Sequence, residues 1–200
     1  VVCRQLLLFN HTALPLLVLP LLTNQTTQVM PIAQPFNLSQ WIDENRHLLK
    51  PPVGNKQIYV QNDDFIVMVV GGPNGRKDYH WEEGEELFYQ LEGDIQVKII
   101  NEEGQPQTID IRQGEMFLLP PRIPHSPQRP EGTVGLVLER HRRPGEVDKL
   151  LWFCDHCNAP LHEASFPLKD IGTQIKEAIG AFKEDVEART CKQCGHVLEM

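Results

Sequence analysis

The alternation of apolar and polar positions predicts a chain built mainly from short β-strands. Apolar or alternating runs of strand length occupy residues 65–70, 86–91, 95–100, 108–111, 116–119 and 134–138. Turn-like segments, each with a glycine, separate them at residues 71–75, 92–94, 101–104 and 113–114. Strands joined by such tight turns indicate an antiparallel sandwich or barrel and not a parallel sheet with crossover helices.

One helix is predicted on either side of the strands. Asn37 and Gln40 form an N-terminal capping pair, and the helix that follows them stops at Pro51 and Pro52. In the C-terminal segment, apolar residues recur at helical spacing: Ile171, Ile175, Ala178, Phe182 and Val186. Residues 140–146 are predicted to be the linker between the strands and this segment.

Residues 1–29 differ from the rest of the chain. Arg4 is their only charged side chain, and 9 of them are Leu. The apolar run at residues 13–22 contains two prolines and is shorter than the ~20 residues of a membrane-spanning helix. A signal peptide is the alternative, but no small-residue cleavage site follows the apolar run. We expect a leader or a non-native extension that has no role in function.

Length and charge narrow the domain count and the partners. The 200 residues allow one domain with an appendage, or two small domains, and we expect a main domain at 30–146 and a small subdomain at 147–200. The 19 Lys and Arg against 27 Asp and Glu give a net charge of -8. This charge repels phosphate backbones and anionic membrane surfaces, so neither nucleic acid nor a membrane is an expected partner.

Four of the five cysteines form two C-x-x-C pairs: Cys154 with Cys157, and Cys191 with Cys194. This spacing is typical of tetrahedral thiolate coordination in a reducing compartment; free thiols or a redox dithiol are the alternatives. Gly195, and Asn158 at the equivalent position, suit the positive φ that such a metal-binding knuckle needs. A four-thiolate site has no open coordination position. We therefore expect a structural metal. We expect no acid, base or substrate group in residues 150–200 that matches the chemistry of the barrel.

The segment that begins at His80 resembles the first motif of the cupin family. That motif has the form HxH, a Glu three or four residues later, and a Gly after six more. His80, Glu86 and Gly93 match it, while Glu82 replaces the second His and removes one ligand.

The second cupin motif, G-x5-P-x-G-x2-H-x3-N, is met in part. Gly114, Pro120 and His125 match it, whereas Arg122 replaces the second Gly and Arg129 replaces the final Asn. The two motifs together retain two His and one Glu, which is the facial triad of non-haem Fe(II) oxygenases. Four other histidines have no partner at ligand spacing and are expected to bind no metal: His11, His47, His141 and His162.

The flanking segments resemble the 3-hydroxyanthranilate 3,4-dioxygenase family of cupins. The similar stretches are WIDE at 41–44, LLKPPVGN at 48–55, GGPN at 71–74, RKDYH at 76–80, FLLPP at 117–121, HSPQRP at 125–130 and LER at 138–140. The resemblance covers about residues 35–200 and includes the Cys-rich tail that some members carry. It implies a mainly β fold, the cupin double-stranded β-helix or jelly-roll barrel, with a short N-terminal helix and a rubredoxin-like four-cysteine subdomain that contains one helix.

By this resemblance, His80, Glu86 and His125 bind a catalytic Fe(II). Glu86, Arg129 and Glu139 contact the substrate 3-hydroxyanthranilate, and Arg76 lies beside the dioxygen position. The chemistry agrees for Arg129, because the carboxylate on the substrate ring calls for a bidentate guanidinium. Glu139 is expected inside the barrel only if the side chain of Val137 points outward.

The resemblance also implies the reaction and its setting. Ring opening gives 2-amino-3-carboxymuconate semialdehyde, a kynurenine-pathway step towards quinolinate and NAD. We expect a cytoplasmic homodimer, with iron preferred over zinc at the four-cysteine site. Two other function classes stay open: a non-catalytic metal-cupin module with regulatory or binding functions, and a cupin oxygenase of a thiol or a catechol. The replacement of the final motif Asn by the cation Arg129 favours the ring-cleaving enzyme.

Overall fold

The computed structural model describes residues 32–51, 54–60, 64–169 and 171–200, and for residues 171 and 172 it describes the backbone alone. The predicted leader at residues 1–29 lies outside this range and stays a prediction. Residues Ala33–Met200 form one compact unit. None of the helices in the described ranges is long and apolar enough to cross a membrane.

The first of two antiparallel sheets has five strands. They are β1 (Asn55–Gln57), β2 (Phe65–Gly71), β5 (Glu86–Glu92), β8 (Met116–Leu119) and β10 (Val134–Arg140). Their order is β1-β2-β10-β5-β8. The predicted strands at 65–70, 86–91, 116–119 and 134–138 are therefore confirmed.

The second sheet has seven strands. They are β3 (Asn74–Gly75), β4 (Tyr79–Trp81), β6 (Ile95–Ile100), β7 (Pro106–Ile111), β9 (His125–Arg129), β11 (Asp148–Phe153) and β12 (Pro160–Phe166). Their order is β12-β11-β4-β9-β6-β7, with β3 paired to β9. Buried residues from both sheets form one core, including Met68, Phe88 and Val137 from the first and Val97 and Ile111 from the second. The mainly β jelly-roll prediction is confirmed.

The helix α1 (Leu38–Asn45) covers the outer face of the first sheet. The Asn37 side chain accepts a hydrogen bond from the backbone N–H of Gln40 at 3.0 Å, as the capping pair predicts. A 3-10 turn, Arg46–Leu48, follows. Ile42 then packs in one buried cluster with Val69 and Val134.

The C-terminal segment contains two helices where one was predicted. Helix α2 (Ile171–Glu184) ends before Asp185, whose side chain accepts from the backbone N–H of Ala188 and caps the short helix α3 (Val186–Arg189). Val186 is 55% exposed, so its assignment to the apolar face of α2 is wrong. Ile175, Ala178 and Phe182 do pack in the C-terminal core, with Leu150, Trp152 and Leu198.

Candidate metal centres and substrate cavity

The two sheets bring the three predicted ligands together. His80 in β4 is directly opposite His125 in β9, and Glu86 in β5 is opposite Glu139 in β10. All three predicted ligands are buried, and one potential ligand atom from each lies within 4.8 Å of the others. The sequence motifs therefore identify side chains that meet at one point between the sheets.

His125 and Glu86 form a close, buried pair at the centre of this cluster. Nε2 of His125 lies 2.7 Å from Oε2 of Glu86, and Nδ1 of His125 lies 3.1 Å from the carbonyl oxygen of Ile123. Burial opposes the charge on both side chains, but their proximity outweighs it: the pKa of His125 is raised and that of Glu86 is lowered. The contact with Nε2 of His125 lacks hydrogen-bond geometry, so the buried Oε2 of Glu86 has no hydrogen-bond partner among the described residues. A divalent metal placed beside these atoms would supply the missing partner.

His80 is held from the opposite side by Asp148 in β11. Its Nε2 lies 2.6 Å from Oδ2 of Asp148, which leaves the other ring nitrogen for a metal. Asp148 is fully buried and accepts two hydrogen bonds from Arg142, at 2.8 and 2.7 Å. Arg142 and His80 outweigh the effect of burial and lower the pKa of Asp148. Neither Arg142 nor Asp148 was predicted, because neither belongs to a motif.

Arg142 also connects two buried glutamates. Its Nη1 lies 2.7 Å from Oε2 of Glu82 and 3.1 Å from Oε2 of Glu139. Burial, followed by the charge of Glu139, raises the pKa of Glu82 to about 10, although the charge of Arg142 opposes this rise. Glu82 replaces the second motif histidine. The segment predicted to be a linker thus supplies the cation that supports Asp148 and Glu139.

A cavity of about 300 Å³ opens onto the three predicted ligands, and Arg76, Arg129 and Glu139 line it. Val137 lines the same cavity and is 3% exposed. The condition that Glu139 lies inside the barrel only if Val137 points outward is wrong, since residues two apart in a strand share a face. Glu139 and Val137 therefore point inward together.

Arg129 is a buried cation with unused hydrogen-bonding capacity. It is 4% exposed, and its Nη1 donates to Oε1 of Gln90 at 3.2 Å. Its Nε has no hydrogen-bond partner among the residues that the structure describes. Burial lowers its pKa to about 10, which still leaves the guanidinium charged at neutral pH. The arrangement suits a carboxylate ligand.

Gly135 in β10 makes room for this guanidinium, although no sequence pattern marks it. A Cβ atom at Gly135 would lie 2.8 Å from Nη1 of Arg129 and 2.8 Å from Oε1 of Gln90. Both distances are shorter than ordinary van der Waals contact. A larger residue at this position would therefore force the ends of the Arg129 and Gln90 side chains to move.

Arg76 is anchored by a neighbouring carboxylate at the cavity wall. Its Nε lies 3.2 Å from Oδ1 of Asp78, and its Nη2 contacts Oδ2 of the same residue. Burial opposes the charge of Arg76, but Asp78 outweighs it and raises the pKa. The side chain is therefore a fixed cation, and Asp78, which fixes it, was not predicted from the sequence.

The four predicted cysteine ligands form a second cluster. Sγ of Cys154 lies 3.6 Å from Sγ of Cys194, and Sγ of Cys157 lies 3.6 Å from Sγ of Cys191. A tetrahedron with metal–sulfur bonds of about 2.3 Å has edges of about 3.8 Å, close to these separations. The thiol groups are free, so the spacing is that of a metal site and not of disulfides.

The two cysteine knuckles have the same backbone geometry. In the first, the N–H of Asn158 donates to the carbonyl of Cys154 at 2.8 Å; in the second, the N–H of Gly195 donates to that of Cys191 at 2.9 Å. Asn158 has φ 60° and Gly195 has φ 75°, as the sequence predicts. Duplicated knuckles of this kind surround a tetrahedral metal.

The C-terminal segment also reaches the barrel cavity. Ile175, Lys176 and Ile179 of α2 line it together with the predicted ligands. The expectation that residues 150–200 supply no acid, base or substrate group to the barrel stays a prediction, but this segment does form part of the cavity wall. No sequence motif marks these residues, since their helical spacing indicates only a packed face.

Comparison with known proteins gives one consistent family. Residues 30–183 match the family described as 3-hydroxyanthranilic acid dioxygenase. The 3-hydroxyanthranilate 3,4-dioxygenase of Xanthomonas euvesicatoria pv. vesicatoria (strain 85-10) is 56% identical over 163 residues, which are 82% of this chain and 91% of the relative. The protein of the same name from Bacillus cereus (strain ATCC 10987 / NRS 248) is 48% identical over 165 residues, 82% of this chain and 92% of the relative.

Among solved structures, a cupin-2 domain containing protein from Shewanella frigidimarina NCIMB 400 is 20% identical, with a TM-score of 0.42. The alignment covers 50% of this chain and 92% of that chain.

Proposed function

The chain belongs to the 3-hydroxyanthranilic acid dioxygenase family, and on that premise we propose that it is an Fe(II)-dependent ring-cleaving dioxygenase of 3-hydroxyanthranilate. One observation on the chain's own residues carries the proposal. A group of two His and one Glu shares a cavity with the buried, incompletely hydrogen-bonded cation Arg129. The first suits a metal and the second suits the carboxylate of the substrate.

The residues that would hold the catalytic metal are His80, Glu86 and His125. Two imidazoles and one carboxylate are the ligand set typical of non-haem Fe(II) sites that keep open positions. When bound, Fe(II) brings an aminophenol and dioxygen to adjacent positions and polarises both. Asp148 orients His80, and the carbonyl of Ile123 orients His125, so both imidazoles have a fixed tautomer and direction.

The cavity suits a substrate with one ring. Its volume of about 300 Å³ is at the small end of ligand sites, and Phe88 and Val137 give it an apolar wall. Arg129 would bind the ring carboxylate through its donors. Oε1 of Glu139 is buried without a hydrogen-bond partner among the described residues, so it would accept from the amino or hydroxyl group of the ring.

The proposed reaction breaks the carbon–carbon bond beside the hydroxyl-bearing carbon. Both atoms of dioxygen enter the product, 2-amino-3-carboxymuconate semialdehyde, which leads towards quinolinate and NAD in the kynurenine pathway. Arg76 lines the cavity as a cation fixed by Asp78. In this position Arg76 would stabilise negative charge that develops on the oxygen side of the reaction.

We also propose that the four-cysteine site holds iron in preference to zinc and has a structural role. Four free thiols suit a reducing compartment, so we place the protein in the cytoplasm. The homodimer and the division into residues 30–146 and 147–200 remain predictions. Within the described chain, β11 pairs with β4, so the two proposed domains share one sheet.

The experiment that tests the proposed function is anaerobic loading with Fe(II), followed by 3-hydroxyanthranilate and oxygen. We expect uptake of one dioxygen for each substrate, with the ultraviolet absorbance of the ring-opened product. His125→Ala is the control and should lose barrel iron and turnover while it keeps the metal at the four cysteines.

An iron-loaded protein that leaves 3-hydroxyanthranilate intact would overturn the proposal. Turnover of a thiol or a catechol alone would favour the competing oxygenase, and binding without any oxygen uptake would favour the regulatory module.

A further inference from the structure

Helix α2 forms part of the wall of the substrate cavity. None of the roles proposed above involves a residue of this helix. Ile175 and Ile179 are one helical turn apart, and both line the cavity with Lys176. The two isoleucines also pack against the core of the C-terminal segment, which includes Trp152 and Phe182. The helix is therefore held by its own core while one edge of it faces the site.

Lys176 is a cation at the solvent side of the cavity. It lines the cavity although part of its side chain stays in contact with solvent, so it lies where the cavity opens. No carboxylate of the described residues forms an ion pair with it. Two neighbouring cations are paired with carboxylates: Arg76 pairs with Asp78, and Lys77 lies 3.3 Å from Asp155. Among the described residues, Lys176 is thus a positive charge at the entrance that no ion pair compensates.

The negative net charge of the protein makes a cation at the entrance important for the approach of an anionic ligand. The net charge of -8 repels a small anion, while the cation that would bind the anion, Arg129, is 4% exposed and lies deep in the cavity. An anionic ligand must cross the negative surface field before Arg129 can attract it strongly. A cation at the entrance lowers that barrier.

We propose that Lys176 is a specificity-determining residue that attracts the carboxylate of an anionic aminophenol at the entrance and delivers it to Arg129. Ile175 and Ile179 contribute apolar surface beside the path of the ring. The inference rests on the proposed function and deepens it, because it concerns how the same site selects a carboxylated ring. Lys176 is not one of the metal-binding residues, so it acts on substrate entry and not on the chemical step.

The test compares Lys176→Gln with wild type in the full-length, iron-loaded enzyme. At low ionic strength, KM for 3-hydroxyanthranilate should rise by roughly two- to fivefold, the range of a solvent-exposed ion pair, while kcat is unchanged. The difference should shrink as salt is added. With 2-aminophenol, which has no carboxylate, KM should stay the same. Lys183→Gln is the matched control, because Lys183 is also exposed on α2 but is not among the residues that line the cavity.

Anaerobic titration of each variant with 3-hydroxyanthranilate gives a second measurement that needs no turnover. Weaker binding by Lys176→Gln alone supports the proposal. An unchanged KM and affinity in Lys176→Gln overturns it, as does an equal change in Lys183→Gln, which would indicate a general effect of net charge. A wild-type protein that binds 3-hydroxyanthranilate without turning it over contradicts the proposed function but leaves the binding comparison valid. If the wild type does not bind it at all, both proposals are wrong.

Discussion

Oδ2 of Asp148 lies 2.6 Å from Nε2 of His80, so a residue of the C-terminal segment directly contacts one of the three proposed iron ligands. The backbones of the same two segments are also paired, since Leu150 in β11 lies opposite His80 in β4. Arg142 fixes Asp148 from its other side with two hydrogen bonds. The orientation of His80 therefore depends on a residue 68 positions further along the chain.

Asp148→Asn should weaken iron binding at the barrel. The amide keeps the size of the side chain but removes the negative charge that orients His80 through its Nε2. Loss of such a supporting partner lowers metal affinity by roughly 10- to 100-fold. Competition with a chelator under anaerobic conditions measures the affinity.

Asp110→Asn is the control for this variant, because Asp110 is exposed on β7 and its side chain accepts a hydrogen bond from Gln96, away from the metal ligands. It should bind iron as the wild type does. If Asp148→Asn also retains the wild-type affinity, Asp148 does not support the metal site.

Arg129→Ala should separate two substrates that differ by a carboxylate. Removing one partner of a buried charge pair costs about 2–5 kcal/mol, so binding of 3-hydroxyanthranilate should weaken by that amount. Binding of 2-aminophenol should change much less, because it has no carboxylate to lose a partner. Anaerobic titration of both compounds measures the difference, and equal losses would remove Arg129 from the role of carboxylate ligand.

Gly135→Ala should reproduce part of this defect without touching the arginine. The new Cβ would lie 2.8 Å from Nη1 of Arg129, so the guanidinium must move from its place beside Gln90. Affinity for 3-hydroxyanthranilate should fall by about tenfold or more, equivalent to about 1.4 kcal/mol. Gly75→Ala is the matched strand control, since a Cβ there meets no atom within 4 Å. Wild-type affinity in Gly135→Ala would show that the cavity absorbs the added methyl group.

The sequence predicts the three metal ligands because the two motifs mark positions on strands that lie opposite each other across the barrel, as His80 lies opposite His125. It does not predict the strand that carries His125 and Arg129, since Pro127 argues against one. The structure explains this exception. On one side β9 pairs with β6. On the other side β4 pairs with it at His125 and β3 pairs with it at Gln128, so Pro127 has no paired strand residue on that side. A residue without an N–H is tolerated at such a position.

The residues that support the metal ligands could not be predicted from the sequence, for a different reason. Arg142 and Asp148 act through contacts between segments that are far apart in the chain, and no local pattern records such contacts. The same holds for Lys176, whose place on the cavity follows from the way α2 packs. Helix spacing predicted the packed positions of α2 correctly from Ile175 to Phe182. The cap at Asp185 starts a new helix and leaves Val186 exposed.

The four-cysteine site and the substrate cavity are connected through the packing of α2. Leu198 follows the second knuckle and packs with Trp152 and Phe182, and Ile175 and Ile179 pack against the same cluster. Those two isoleucines also line the cavity. Metal binding stabilises a segment this small, so loss of the metal should loosen the helix that forms the cavity wall.

Cys194→Ser should therefore lose the second metal, lower the melting temperature and raise KM for 3-hydroxyanthranilate. The kcat per barrel iron should stay near that of the wild type, because the four-cysteine site has no open coordination position and supplies no group to the reacting atoms. Metal stoichiometry, melting temperature and steady-state kinetics on one preparation measure all three effects.

Lys192→Gln is the control, because it is an exposed change within the same knuckle that leaves every thiol in place. It should keep both metals and the wild-type KM. A large fall in kcat with barrel iron retained would mean that the second metal takes part in the reaction. An unchanged KM after loss of the second metal would mean that α2 keeps its place without it.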